Sequence, residues 1–354
     1  LVDQLGIDRL KQQGARIGPV SPFHHHHTFS RPQRVHQFVL PQDLLLPTIA
    51  TLWSSFIFSS STTDNRMAYF DMENANSSSG NIRVTNSVLS VDHASWANTT
   101  RQIMNYNNSS FKLTNSVLPG VNGETVHVLG IPNTGYALVQ GNTFAKVSGF
   151  NDMMDITGGQ RPGAIVQILD NVFNGSDDDI LDLDGTDAHI EGNIFRGAHL
   201  VDPNNPDTSS AISGGQDSGD LGHYVIVRNW FYNLDHGILA KEHNTAFVVN
   251  NTFVNIDIAA VNFDEPLRSG IVPGDGAVLD GNIFWNVPLV VDNVNSDGTT
   301  TSLDHFVTES PNPLTYCGWS GTAGGWRPWT TRAVCGCGTL RPAKPSWKSP
   351  SATR

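Results

Sequence analysis

The chain has 354 residues, a formal net charge of −12, charged residues at only 15% and 33 glycines. That length could hold two ordinary domains, and that charge disfavours nucleic acid as a partner. An acidic polysaccharide stays compatible with it where cations or a local basic groove intervene.

Residues 1–80 read as an N-terminal segment and cap. They include the tract His24-His25-His26-His27, read as a solvated polar loop. The apolar stretch from Leu44 to Phe58 is interrupted by Pro47 and is short of the ~20 residues a spanning helix needs, so no membrane span is expected. It is predicted to close the N-terminal end of the β-structure that begins near residue 81, because an open end would expose edge groups.

From residue 81 to 305 the chain repeats itself. The copies read Thr85-Asn86-Ser87-Val88, Thr114-Asn115-Ser116-Val117, Gly141-Asn142-Thr143-Phe144, Asp170-Asn171-Val172-Phe173, Gly192-Asn193-Ile194-Phe195, Arg228-Asn229-Trp230-Phe231, Asn250-Asn251-Thr252-Phe253 and Gly281-Asn282-Ile283-Phe284. A short β-branched run precedes each Asn, as in Tyr224-Val225-Ile226-Val227 and Ala246-Phe247-Val248-Val249. Such runs bounded by turn formers predict strands, and no window holds a helical period for long. Strands recurring at this interval without helices predict the stacked coils of a solenoid. Each Asn is expected at a sharp corner, where it tolerates left-handed backbone, and in an axial ladder of stacked amides. The residue two places on (Val88, Val117, Phe144, Phe173, Phe195, Phe231, Phe253, Phe284) is expected to point inward.

With these repeats the chain resembles the right-handed parallel β-helix, or pectate-lyase-like, superfamily. The resemblance implies an all-β fold, a right-handed parallel β-helix of about eight coils. It implies no single function, because that solenoid hosts lyases, hydrolases and non-catalytic repeats.

Residues 306–354 lose the repeat. They carry Arg327, Arg332, Arg341, Lys344, Lys348 and Arg354 against Glu309 alone, a tail of +5 on a body of −17, with all three cysteines. This irregular basic Trp-, Gly- and Pro-rich tail is expected to add no coil. An acidic body without thiols fits a secreted or cell-surface protein.

The sharpest local signal is Asp177, Asp178, Asp179, Asp182 and Asp184, within the run Ser176 to Asp187. Clustered carboxylates repel unless a cation or solvent separates them, and several converging oxygens suit Ca²⁺. Laid without gaps over later coils, the run puts Asp178 beside His236, Asp182 beside Ala240 and Asp184 beside Glu242, with Asn262 and Asp264 next. His236, Glu242, Asn262 and Asp264 thereby become candidate substrate-binding residues.

The stretch Lys241-Glu242-His243-Asn244 with Asn251-Thr252-Phe253 resembles the Lys-Ser-x-x-Asn and Asn-Thr-Phe pattern of the alginate lyase and chondroitinase B family. That resemblance implies Lys241 as the catalytic base of a polysaccharide lyase. The family's Glu-x-Glu pair and its Arg on the next coil are absent here. The same alignment puts Lys241 in a column with Leu183 and Phe263, which should point inward, unless a bulge near Gly237 shifts the strand. Two insertions, within His199 to Gly222 and around Pro266 to Gly276, should wall a groove, and the second brings Arg268 to meet an anionic sugar.

Two functions fit these residues. One is a secreted β-helix protein that binds an acidic polysaccharide and cleaves it by calcium-assisted β-elimination. The other is a non-catalytic stalk or adhesion segment, a monomer or a part of a larger chain. Hydrolysis by an outward pair such as Asp178 and Asp182 is a third.

Overall fold

The computed structural model describes residues 54–61, 63–149, 151–201, 208–265 and 267–293, with the backbone of the short strands His26–Phe29, Gln37–Val39, Ser302–Asp304 and Val307–Glu309. The described residues contain strands and turns and no helix, so no helix there is long and apolar enough to cross a membrane. Every named strand pairs in parallel with its counterparts one coil away, which makes the molecule a parallel β-helix with three faces. The first face includes Met104–Asn107, Val126–Leu129, Met154–Thr157, Leu181–Asp182 and Ser210–Gly214. The second includes Ala137–Gln140, Val166–Leu169, Ala188–Glu191, His223–Val227 and Thr245–Val249. The third includes Thr143–Phe144, Val172–Phe173, Ile194–Arg196 and Ile283–Trp285. Two long strands, Trp230–Ala240 and Thr252–Asn262, run from the third face round a corner onto the first.

Alternation inside each strand builds the core. In Val166–Leu169 the residues Val166 and Ile168 are buried while Gln167 is exposed, and the same period recurs in coil after coil. The deepest feature is a column of six phenylalanines. Phe144, Phe173, Phe195, Phe231, Phe253 and Phe284 stack with centroids 4.8, 5.0, 5.1, 4.5 and 5.1 Å apart. Beside it runs the expected amide ladder. Asn142, Asn171, Asn193, Asn229, Asn251 and Asn282 are buried, and each Oδ1 from Asn171 onward accepts the backbone N–H and the side-chain amide of the asparagine one coil before.

The second copy sits one residue out of that frame, and the first lies at another corner. Ser116, not Asn115, donates its N–H to Asn142 Oδ1, and one coil earlier Ala94 donates its N–H to Ser116 Oγ. Asn115 occupies the left-handed position, at φ 49°, that Gly141, Gly192 and Gly281 take in later copies. Asn86, at φ 46°, turns the corner between the first and second faces, level with Asn108, and Ser87 bonds there with Ser61 and Ser109. The inward residue of the second copy is accordingly Leu118, not Val117, which is 57% exposed; in the first copy Leu89, not Val88, is buried, and it lies on the second face. An Asn193→Ala change should cost about 1–3 kcal/mol in urea unfolding, because it strips Asn171 of the acceptor for two buried donors. Asn86→Gly, at an exposed left-handed corner, should change stability little. Equal losses in the two variants would count against the ladder.

The stack passes both expected boundaries. Ser55–Ser59 lies between His26–Phe29 and Ile82–Thr85, so it is an interior coil rather than the closing end. At the other end Val307–Glu309 pairs with Ile283–Trp285, one strand beyond where the repeat was expected to stop. Residues 310–354 lie outside the described residues. The first insertion is more than a loop: it contributes Ser210–Gly214, a strand buried at every position.

Candidate functional site

The first face fixes the outward columns. Asp155 pairs with Asp182, Asp182 with Ser213, Ser213 with Leu239, Leu239 with Asn262 and Asn262 with Asp292. Asp182 is therefore level with Leu239, not with Ala240 as the gapless alignment has it. From Asn229 to Leu239 the chain is one residue shorter than from Asn171 to Asp182. That single residue decides which way Lys241 points. Gly214 pairs with Ala240, and the Lys241 N–H donates to Gly214 O, which sets Lys241 on the outward side, level with Asp184 and Gly215. Phe263 and Leu183, its expected column mates, are in the core.

Around it lies a polar cleft of about 170 Å³ lined by Asp152, Asp178, Asp179, Asp182, Thr208, Lys241, Glu265 and Arg268. Drug-sized pockets run to about 300–1,000 Å³. This one is smaller. Glu265, 2% exposed, joins its two walls. Its Oε1 accepts the N–H and the hydroxyl of Thr208, each at 3.0 Å, while Oε2 lies 3.4 Å from Lys241 Nζ and 3.3 Å from Arg268 Nη1. Lys241 also donates to Ser213 Oγ at 3.4 Å.

Lys241 is 7% exposed. Burial alone would lower its pKa, but the carboxyls of Glu265, Asp182, Asp179 and Asp184 outweigh burial and hold it above the usual lysine value. A general base has to be neutral before it can take a proton. Beside Glu265 and Ser213, Lys241 is placed to balance carboxylates, an arrangement that favours its ammonium form over a neutral base.

The carboxyls are shifted the other way. Burial first, then mutual repulsion, raises Asp152 and Asp179 well above the ordinary carboxylate range. Asp182 is pushed up to about 8 by burial and by Asp184, against the pull of Lys241. Its Oδ1 is buried without a hydrogen-bond partner. Asp179 Oδ1 accepts the Ser210 N–H at 2.6 Å. One oxygen each from Asp152, Asp178 and Asp179 lies within 4.8 Å of the others.

Of the expected metal ligands, Asp178, Asp179 and Asp182 line the cleft. Asp177 does not: its Oδ1 is 2.7 Å from Lys146 and its Oδ2 accepts the Gly149 N–H. Asp184 does not line it either; it sits with Glu242 around Gly215, where a Cβ would meet Asp184 Oδ1 at 2.5 Å and Glu242 Oε2 at 2.8 Å. Of the expected substrate ligands only Arg268 lines the cleft, and there it meets Glu265. Glu242 accepts the Gln216 N–H. His236 is buried, faces Ser209 O at 3.3 Å and has its pKa lowered by burial. Asn262 Oδ1 accepts the Asn293 amide and the Asp264 N–H, and Asp264 Oδ1 accepts the Glu265 N–H. His236, Asn262 and Asp264 do not line the cleft. Asp152, Thr208 and Glu265 are the residues sequence reasoning missed. Only Asp152 had a signal, since it lies one coil before the acidic run.

No family model matches the chain, and no curated protein does. Among solved structures it matches the catalytic domain of a GH87 alpha-1,3-glucanase in complex with tetrasaccharides, at 10% identity and a TM-score of 0.29, over 84% of this chain and 70% of that one. That likeness is too distant to transfer a residue or an activity.

Proposed function

We propose that the cleft is a carbohydrate-active site that works by carboxyl acid–base chemistry on a polysaccharide. The observation that supports it most is Asp182, a buried outward carboxyl pushed up to about 8 and set among further carboxyls in a cleft. A raised carboxyl next to others is the pattern by which one group stays a proton donor while another accepts. In this reading Asp182 gives its proton to the glycosidic oxygen as the bond to the anomeric carbon breaks. Asp178 takes a proton from the water whose oxygen bonds to that carbon, so one water is consumed and the carboxyl pair ends with its proton moved. Lys241 and Glu265 hold the walls and the charge. With Asp152, Asp179 and Asp182 raised, Asp178 and Glu265 face Lys241 and Arg268, two carboxyls to two cations, so the lining has no surplus positive charge to hold a uronate, which favours a neutral polysaccharide.

A second reading retains calcium and an acidic polysaccharide, and it is supported by the three oxygens of Asp152, Asp178 and Asp179. An all-oxygen donor set beside the orphaned Asp182 Oδ1 fits a hard cation. Calcium bound there would neutralise a uronate carboxylate, while the base for elimination would have to be a group other than Lys241.

Reducing-end release from a panel of neutral polysaccharides tests the first reading. Asp182→Asn and Asp178→Asn should each abolish it, and Asp177→Asn should not. Chelator-sensitive formation of unsaturated products from pectate or alginate would replace it by the second reading. No turnover of either kind would leave the cleft without catalysis and favour the stalk.

A further inference from the structure

The third face carries a separate feature. Beyond the ladder, Ile194, Trp230, Thr252 and Ile283 stand in register, and two positions on so do Arg196, Tyr232, Val254 and Trp285. Their side chains point away from the phenylalanine column. Trp230 is 59% exposed, Tyr232 46% and Trp285 42%, with Ile194 and Ile283 also exposed. Large rings cost solvation when left in water, so a cluster of them marks an interaction surface. Trp230 and Tyr232 stand about 7 Å apart along their strand, and Tyr232 and Trp285 about 9.6 Å apart along the axis. The corner beside them is a row of amides. Asn233, Asn255 and Asn286 share left-handed backbone, and the Asn286 amide donates to Asn255 Oδ1 at 3.0 Å.

We propose that this platform binds a neutral linear polysaccharide, with sugar faces stacked on Trp230, Tyr232 and Trp285 and hydroxyls bonded to the asparagine row. A sugar ring offers an apolar face edged by hydroxyls, which is the complement of flat rings edged by amides. Charge points the same way: on a chain of −12 the eight in-register residues include one charge, Arg196, whose Nε donates to Asn174 Oδ1 at 2.7 Å. Size argues against a second copy of the chain. With each ring about half exposed, Trp230, Tyr232 and Trp285 together offer roughly 300 Å² of accessible surface. A stable protein interface needs about 800 Å² from each partner. The platform is also continuous with the cleft. Trp230–Ala240 starts on the platform and ends beside Lys241, so a chain held there lies one corner from the acidic site. The proposal rests on the polysaccharide class proposed above and not on the chemistry of the cleft.

Affinity electrophoresis of the full chain in gels containing hydroxyethyl cellulose, laminarin, dextran or arabinoxylan tests it. At least one should retard the wild type. Replacing Trp230, Tyr232 and Trp285 together by Ala should weaken that binding about tenfold or more. All three are exposed, so the thermal midpoint should hold. Tyr232→Phe, which keeps the ring, and Asp182→Asn, which alters only the cleft, should bind as the wild type does. No retardation by any of the four, or a triple variant that binds normally, overturns the proposal. So does a wild type that sediments as a dimer while the triple variant is monomeric and binding is unchanged. Retained binding with no cleavage would instead sink the cleft reading and leave the platform standing.

Discussion

Replacing Phe195 by Ala is expected to lower the free energy of unfolding by about 3–5 kcal/mol in urea. The ring is fully buried and stacked between Phe173 at 5.0 Å and Phe231 at 5.1 Å, so truncation forfeits burial and both stacking contacts. Coils in a solenoid are coupled only to their neighbours, and a hole in the column has no distant element to close it. Val117→Ala is the matching control. Val117 is an apolar residue two places after an Asn, as Phe195 is, yet it is 57% exposed, and its truncation should cost less than about 0.5 kcal/mol. A loss below about 1 kcal/mol for Phe195, or similar losses for the two, would reject the observed register.

That pair also shows what the sequence carried. The solenoid, its parallel strands and most of its inward column were legible, because an Asn and an apolar residue recur with the same spacing eight times. The frame of the first two copies was not. Strand side chains alternate, so a slip of one residue exchanges inside for outside. Ser116 replaces the ladder amide in the second copy, where Asn115 takes the position that Gly141 takes one coil later, and the first copy lies at a different corner, where Ser61, Ser87 and Ser109 bond in turn. The acidic run was legible as a cluster, but its partners were not. Glu265 and Thr208 meet it only through folding of two insertions. The facing of Lys241 was left between two alternatives, and the outward one holds because one coil is a residue short, of which composition gives no sign.

Raising the pH from about 5 to about 8 is expected to destabilise the protein, steeply for a single cluster. Asp182 stands at about 8 in the folded chain against 3.8 for the free side chain, through burial first and then Asp184, opposed by Lys241. A raised carboxyl pKa means the folded state keeps a proton that the unfolded chain releases. Its stabilising effect is complete below 3.8 and is lost as pH rises towards about 8. Each such proton contributes a slope of at most about 1.4 kcal/mol per pH unit across that window. Asp152 and Asp179, raised for the same reasons, steepen it. Lys241, raised above its usual value, stays charged throughout the window and adds no slope there. Asp182→Asn removes one titrating group while keeping an amide of the same shape, so the variant should be flatter and should overtake the wild type at about pH 8. Thermal midpoints measured across this range settle the sign. His236, lowered by burial, and His127, raised by Asp155 and Glu124, add slopes of opposite sign, so the difference between the wild type and Asp182→Asn is the readout. Parallel profiles for the two would mean Asp182 is ionised when folded, and the proton it is proposed to donate would not be there. Calcium offers the remaining contrast. If the cation reading holds, excess calcium at about pH 8 should restore the stability lost by deprotonation, by about 2.7 kcal/mol at 100-fold above its dissociation constant, and chelation should remove it. If the acid–base reading holds, only the proton restores it.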